Sequence, residues 1–304
     1  MLAIDIQRSN EYAYCKQHHD KYIMRAIEES PAIQHKVNQG YELLFAWVYG
    51  EYYETKQARV DQLKELDLKE LIKNIYSQIA YYRRPTTFVS TVVQITKHIG
   101  LNDRKDAIKT VAEILAVVCG ADAYDITKVS KYASLMIQSN LVLPNELNEA
   151  IDRGLYPLPM VVEPRNIAKN SQSPYLTFNQ HQILGRQNKH GGDIALDVIN
   201  CQNQIPLSLN VAFLSTVEEQ AKGELDTTEK QQLWLEFKTQ SYDAYRTLIT
   251  QGNKFYLTYR PDKRGRLYSQ GYHISTQGTA FKKAIVEFNE TEVIEGVPTN
   301  YKVK

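Results

Sequence analysis

The first half of the chain carries apolar residues at spacings of three and four, which is the pattern of an amphipathic helix. In one stretch these positions are Tyr41, Leu44, Phe45, Val48 and Tyr52. Asp67 and Asp103 precede further stretches of this kind and are predicted N-caps, because their side chains can accept from free backbone N–H groups. The pattern predicts an all-helical N-terminal domain over residues 1–154.

The pattern changes after residue 155. Residues 155–165 contain three prolines and are predicted to be extended. Residues 166–192 are polar and predict a loop. Helices are predicted over residues 193–222 and 227–251. Pro206 lies inside the first of these helices and predicts a kink, because proline lacks a backbone N–H.

The end of the chain has the composition of strands. Residues 254–259 and 267–274 are rich in aromatic residues, and the stretch 261–266, Pro-Asp-Lys-Arg-Gly-Arg, has the composition of a turn. The whole pattern predicts an α+β fold that is mostly helical. Three regions are predicted, at residues 1–154, 155–252 and 253–304.

Composition and charge restrict the function. The 304-residue chain has a net charge of +1, which is low for a protein that binds nucleic acid over its whole surface. The three cysteines lie far apart and predict neither a disulfide framework nor a zinc site. No signal peptide is recognised, and the most apolar stretch, Val111–Ala121, is too short to span a bilayer. A soluble cytoplasmic protein is expected.

Basic residues are concentrated around the predicted turn. Residues 253–283 contain seven lysines and arginines but one acid, Asp262, and four tyrosines are interleaved with them. Arginine binds phosphate oxygens in a forked geometry, and tyrosine rings stack on bases. A local site for a nucleic-acid backbone would have this composition. On composition alone, however, a solvated β-hairpin with a basic turn is the preferred interpretation. The stretch supplies neither a nucleophile nor a pair of metal-binding carboxylates.

Three stretches resemble, in the same order, segments of the single-subunit RNA polymerases of bacteriophages, mitochondria and chloroplasts. Residues 158–165 resemble the proline-rich strand before the thumb of that family, and residues 198–210 resemble its asparagine-containing helix with an internal proline. Asp262–Arg266 matches the Asp-x-x-Gly-Arg motif early in the palm. Gln277-Gly278 and Lys283 match a downstream Gln-Gly step and lysine.

The resemblance implies a fold and a set of site residues. The predicted regions become a helical N-terminal domain, an abbreviated helical thumb and the first strands of a palm. Arg266 would contact the template strand and the RNA–DNA hybrid, Gly265 would permit close approach, and Asp262 would shape the turn. Lys263 stands where the family often has an aromatic residue. The implied nucleic-acid-binding residues are Asp262, Lys263, Arg264, Gly265, Arg266, Tyr268, Lys283 and Arg165.

The same resemblance implies that catalysis requires a second chain. The metal-binding aspartates of the family lie on segments beyond the matched region, and phosphoryl transfer by two metal ions needs such carboxylates. No catalytic or metal-binding residue is therefore expected in this chain. The chain resembles the smaller, N-terminal subunit of the split, heterodimeric RNA polymerases of N-four-type phages. The partner subunit would hold Mg²⁺ and nucleoside triphosphates, in the cytoplasm of an infected bacterial host.

Further expectations follow from the short thumb. An enzyme of this kind is expected to melt DNA weakly and to need an accessory promoter or single-stranded-DNA factor. Two alternatives remain open at this point. One is a free-standing nucleic-acid-binding or regulatory protein derived from a polymerase fragment. The other is an interaction protein with the basic hairpin at its surface.

Overall fold

The structure is a computed structural model that describes residues 2–129, 134–153, 156–185 and 188–290. The described residues fall into two compact units. The first unit is Gln17–Asp152, and the second unit combines Met1–Lys16 with Arg153–Lys304. The predicted division at residue 154 lies near one of these boundaries. Residues 1–16, however, belong to the second unit.

Helices dominate the described chain. Numbered in chain order, they are α1 (Ala3–Tyr14), α2 (Lys16–Glu29), α3 (Pro31–Val48), α4 (Glu54–Asp61), α5 (Leu68–Ile79), α6 (Phe88–Ile99), α7 (Arg104–Val118), α8 (Asn145–Arg153), α9 (Leu196–Asn203), α10 (Val211–Thr216), α11 (Thr228–Thr250) and α12 (Ala280–Ala284). The strands are β1 (Thr86–Thr87), β2 (Tyr124–Val129), β3 (Ser134–Ser139), β4 (Leu207–Leu209), β5 (Tyr259–Pro261), β6 (Leu267–Ser269) and β7 (Val286–Phe288). The coarse prediction of a mostly helical α+β fold is confirmed.

The core of the first unit lies between α3, α5, α6 and α7. On α3 the buried stripe runs through Ile33, Val37, Leu44 and Val48, whereas Phe45 is exposed. The predicted N-caps are present. Asp67 accepts from Glu70 N at 3.0 Å, and Asp103 accepts from the backbone N–H groups of Lys105 and Asp106. These bonds satisfy N–H groups that have no partner inside the helix.

The first unit also contains an antiparallel sheet in the order β1-β3-β2. The prediction of an all-helical N-terminal domain is therefore wrong. Ile126 pairs with Ile137 in the β2–β3 ladder, and Ile137 is fully buried. Four of the six residues of β2, Tyr-Asp-Ile-Thr-Lys-Val, are aromatic or β-branched, a composition that favours a strand.

The second unit has short antiparallel strand pairs, β4 with β7 and β5 with β6. The predicted kinked helix over residues 193–222 is wrong, because α9 ends at Asn203 and the chain turns before β4. Pro206 cannot donate a helical hydrogen bond. The next residue, Leu207, instead pairs with Phe255 in both directions, at 2.8 and 2.9 Å. The predicted helix over 227–251 is confirmed as α11, and the Thr227 hydroxyl caps it through Lys230 N at 3.2 Å.

Helix α1 belongs to the second unit through polar contacts. The carboxylate of Glu11, which is 2% exposed, accepts from the backbone N–H groups of Leu176 and Thr177 and from the Thr177 hydroxyl. The Gln7 side chain accepts from Val161 N at 2.8 Å. These bonds satisfy backbone groups of the irregular segment that follows residue 156.

None of the helices in the described ranges combines the length and the apolar composition that a membrane-spanning segment needs.

Candidate nucleic-acid interface

The basic turn forms a short β-hairpin. Strand β5 pairs with β6 so that Tyr259 lies opposite Ser269 and Pro261 lies opposite Leu267. Asp262 N donates to Arg266 O at 2.9 Å, which continues the ladder into the turn. Gly265 has a φ of +79°, a conformation that glycine adopts without the steric penalty of a side chain. The turn predicted at residues 261–266 is present.

The Asp262 carboxylate organises this turn. Its Oδ1 accepts from Arg264 N at 2.8 Å and from Arg266 N at 3.1 Å. Its Oδ2 accepts from Arg266 Nε at 2.9 Å and from Arg266 Nη2 at 2.7 Å. Because two nitrogens of the guanidinium group donate to the same oxygen, the pair fixes the orientation of this group as well as its distance.

The acidic and basic side chains of the turn differ in their exposure to solvent. The side chain of Asp262 is 18% exposed, whereas those of Arg264 and Arg266 are 66% and 54% exposed. Burial tends to raise the pKa of Asp262. Hydrogen bonds from the Arg266 guanidinium and from the backbone N–H groups of Arg266 and Arg264 outweigh this and hold its pKa at about 2. The turn therefore presents cations outward over a carboxylate that stays ionised.

Tyr268 and Lys263 complete the hairpin surface. Lys263 is exposed at the turn. The guanidinium carbon of Arg266 lies 5.7 Å from the centre of the half-buried Tyr268 ring. An arginine in this range of an aromatic face gains electrostatic attraction to the ring. The ring and the Asp262 carboxylate together position the Arg266 side chain.

Arg260 does not contribute to this exposed surface, although the sequence places it in the basic cluster. Its guanidinium donates to the backbone carbonyls of His181, Gln182 and Ile183. Burial lowers its pKa. Lys282 is also turned inward and donates to Tyr272 O at 2.6 Å. The exposed positive charge is therefore smaller than the composition of the segment suggests.

The three stretches that carry the family resemblance adjoin one another in the second unit. Met160 pairs with Tyr256, and Leu207 pairs with Phe255, both in antiparallel bridges. Residues 255 and 256 therefore connect the proline-rich stretch and the Pro206 stretch to the strand that leads into the hairpin. Further along the chain, the Gln277 side chain accepts from Ser269 N and donates to Leu267 O, both at 3.0 Å.

Two of the predicted site residues lie outside the hairpin. Arg165 is exposed, and its backbone N–H donates to Pro174 O at 3.1 Å. Lys283 is exposed on the short helix α12. Within the described ranges, no hydrogen bond or ion pair joins either residue to the turn. The structure thus brings together Asp262, Lys263, Arg264, Gly265, Arg266 and Tyr268.

A cavity of about 670 Å³ in the preceding loop is a feature that the sequence pattern did not indicate. Its lining includes Lys169, His181, Lys189 and His190. Burial and the neighbouring cations lower the pKa of His181. This loop is joined to β5, because Leu184 N donates to Pro261 O at 2.8 Å. The lysines in the polar stretch 166–192 are the one feature of the sequence that could have indicated this site. Only the fold shows that they share a cavity.

The fold and the hairpin define a mostly helical α+β protein with a local, preorganised cationic turn. The sequence matches no protein-family model, and no curated protein is significantly similar to it. Across the described ranges, no group of three or more histidine, cysteine, aspartate or glutamate side chains is placed to hold a metal ion.

The Asp262–Arg266 pair predicts a pH dependence. Because the pKa of Asp262 is lowered to about 2, the stability that the pair contributes is fully present above 3.8, the value of an ordinary aspartate. It is lost as the pH falls through about 2. An NMR titration of the Asp262 carboxyl carbon is expected to show a midpoint near 2.

In Arg266→Ala the midpoint should rise toward 3.8, because the forked hydrogen bonds are removed. It should stay unchanged in Lys263→Ala, which leaves the bonds to Asp262 intact. A midpoint near 2 in Arg266→Ala would show that the backbone N–H groups alone stabilise the carboxylate.

Proposed function

We propose that this chain is a subunit of a phage DNA-directed RNA polymerase that contacts the template strand and the RNA–DNA hybrid through the hairpin of β5 and β6. One observation carries the proposal. Asp262 holds Arg266 in a forked ion pair at a turn whose exposed side is cationic. This turn is the motif by which the sequence resembles the single-subunit RNA polymerases.

The hairpin has the chemistry to bind a nucleic-acid backbone. The Arg266 Nη1 group is not used in the bonds to Asp262, and Arg264 is largely exposed, so both can donate to phosphate oxygens. Gly265 offers a backbone without a side chain at the turn, which allows close approach. The net charge of +1 agrees with such a local contact and not with a whole surface that binds nucleic acid.

In this proposal the partner subunit carries the carboxylates that hold Mg²⁺ and the groups that bind nucleoside triphosphates. The metal ion would supply Lewis-acid stabilisation of the transferring phosphoryl group. The residues of this chain position the template and the hybrid. The thumb-like region between Asn210 and Phe255 contains α10 and α11 in the structure. Because it is short, an accessory factor or a single-stranded template is part of the proposal.

The proposal is tested by primer extension with Mg²⁺ and ribonucleotides. The chain is assayed alone and after co-expression with the product of the neighbouring gene. RNA synthesis is expected from the two-chain complex and not from the chain alone. It is expected on a single-stranded template, and it should be weak on linear duplex promoter DNA. Synthesis by the chain alone would contradict the proposed division of labour, and strong duplex transcription would contradict the need for an accessory factor.

The alternative is a free-standing nucleic-acid-binding protein. It is favoured by the fact that the bonds organising the turn all come from this chain. It predicts salt-dependent binding of DNA or RNA by the chain alone, together with no complex and no RNA synthesis after co-expression. The absence of both binding and complex formation would leave an interaction protein with a solvated basic hairpin.

A further inference from the structure

The cavity of about 670 Å³ in the second unit, which we name the loop cavity, has walls joined by buried hydrogen bonds. It is lined by residues 168–171, 181, 189–194 and 196. Asn170, which is 6% exposed, donates from Nδ2 to His190 O at 2.9 Å and to Gly192 O at 2.7 Å. The backbone carbonyl of Asn170 also accepts from Gln182 N at 2.7 Å. A cavity held together in this way is formed before any ligand binds.

Two lysines without an ion-pair partner line the loop cavity. Lys169 and Lys189 are exposed, and neither ammonium group forms a hydrogen bond or an ion pair in the described ranges. The described lining contains one acidic residue, Asp193, whose Oδ1 accepts from Ala195 N at 3.1 Å. The loop cavity therefore carries an excess of positive charge, and an anionic ligand would reduce the repulsion within it.

Two imidazole rings add neutral hydrogen-bond donors. His181 Nδ1 accepts from Ile183 N at 3.3 Å, and His190 Nδ1 accepts from Gly192 N at 3.1 Å. A ring nitrogen that accepts carries no proton, so the proton of the neutral ring lies on Nε2. Neither Nε2–H group has an acceptor in the described ranges. His190 is exposed and His181 is half-buried, so both rings can offer a donor to the oxygen of a ligand.

A phosphate group fits this set of side chains. The lysines disfavour a cationic ligand, and an apolar ligand would leave the polar groups of the lining without new partners. Lys169 and Lys189 belong to separate walls, the segments 168–171 and 189–194. A phosphate group carries its charge on oxygens that point in different directions, so it can accept from both walls at once. The volume of about 670 Å³ also leaves room for the group to which the phosphate is attached.

The loop cavity is connected to the hairpin through β5. The guanidinium of Arg260 donates to the backbone carbonyls of the 181–183 segment, and Leu184 N donates to Pro261 O at 2.8 Å. Burial, followed by the positive charges of Lys189 and Arg260, lowers the pKa of His181. The same strand thus supports both cationic sites, which makes a nucleic-acid strand one source of the phosphate. A free phosphate ester is the other source.

We propose that the loop cavity binds a phosphate group, with Lys169 and Lys189 supplying positive charge and His181 and His190 supplying Nε2–H donors. The phosphate belongs to a nucleic-acid strand or to a free phosphate ester. The first source rests on the proposed function, whereas the second does not. In both cases the loop cavity is a second cationic site, made by residues other than those of the hairpin.

The first experiment follows the histidines of the full chain by proton–nitrogen NMR during titration with inorganic phosphate. The sequence has seven histidines, so each signal is assigned from its replacement with glutamine. The Nε2 signals of His181 and His190 are expected to shift saturably. The pKa of His181 should rise, because a bound anion favours the protonated ring. Sodium chloride at the same ionic strength should not reproduce the shifts. An equal response to chloride would overturn the proposal.

The second experiment assigns the binding to the lysines. Lys169→Ala and Lys189→Ala should each weaken phosphate binding about tenfold, because each removes a charge-assisted contact. The matched control is Lys222→Ala, which changes an exposed lysine of the same unit outside the loop and should leave the affinity unchanged. The lysines are exposed, so the variants are expected to fold. Equal affinities in all three variants would contradict the assignment.

A third arm identifies the source of the phosphate. Oligouridylate with hydroxyl ends, which contains only phosphodiesters, is compared with inorganic phosphate. Saturable shifts of the His181 signal by the oligonucleotide, weakened in Lys169→Ala, indicate a nucleic-acid strand. Shifts by inorganic phosphate alone indicate a free ester, and no saturable shift by either probe would overturn the proposal. Inorganic phosphate should bind Arg266→Ala with unchanged affinity, so the loop cavity and the hairpin can fail independently.

Discussion

Replacement of Arg266 with alanine is expected to raise the Kd for an RNA–DNA hybrid roughly tenfold, because one charge-assisted contact to phosphate is lost. The slope of log Kd against log salt concentration should fall by about one between about 50 and 200 mM salt. The turn should persist in the variant, since Asp262 keeps its bonds from the backbone N–H groups of Arg264 and Arg266. Fluorescence anisotropy with a labelled hybrid measures both quantities. RNA synthesis by the proposed two-chain complex should fall with the affinity.

The matched control is Arg246→Ala. Arg246 is also an exposed arginine paired with an aspartate, Asp243 at 3.1 Å, but it lies on α11. Its replacement should leave both affinity and salt slope unchanged. Equal losses of affinity in the two variants would indicate a nonspecific effect of charge. An unchanged affinity in Arg266→Ala would show that Arg266 of the hairpin does not contact nucleic acid.

Replacement of Glu11 with alanine is expected to destabilise the second unit by about 3 kcal/mol, because it removes the buried carboxylate that accepts hydrogen bonds from the half-buried Leu176 and Thr177. The two units are followed separately during urea unfolding. Trp234 reports on the second unit in the Trp47→Phe background, and Trp47 reports on the first unit in the Trp234→Phe background. The transition of Trp234 should move to lower urea concentration.

The control for Glu11 is Asp5→Ala on the same helix. Asp5 is exposed and lies 3.9 Å from Arg8, a surface pair that contributes little. The Asp5→Ala substitution should leave the urea concentration of the Trp234 transition unchanged. If Glu11→Ala shifted the Trp47 transition instead, α1 would be stabilising the first unit and the assignment of this helix would be wrong.

Local chemistry explains which parts of the fold could be predicted. The turn at 261–266 depends on residues within five positions of one another, so its composition was sufficient to predict it. The caps at Asp67 and Asp103 are likewise local. Each of these features requires only a side chain and a backbone N–H two to four residues further along the chain.

Features that depend on distant partners were not predictable in the same way. Strand β4 replaces the predicted helix because its hydrogen-bond partners, strand β7 and Phe255, lie far along the chain. Arg260 looks like a phosphate ligand in the sequence, but carbonyls of the 181–183 segment occupy its guanidinium. Glu219 is 5% exposed because of tertiary packing, and nothing in its local sequence distinguishes it from an exposed glutamate.

The division into units has a consequence for synthesis on the ribosome. In the sequence, the first unit, Gln17–Asp152, lies between the two parts of the second unit, which are Met1–Lys16 and the chain from Arg153. The first unit can therefore fold as soon as it has left the ribosome. Helix α1 is synthesised before the first unit, whereas the backbone groups that it binds are synthesised after it. The helix can therefore dock only when those later residues have been added. The residues of this helix that are buried in the folded protein, Gln7, Asn10 and Glu11, are polar, so the undocked helix exposes no large apolar side chain that docking would bury.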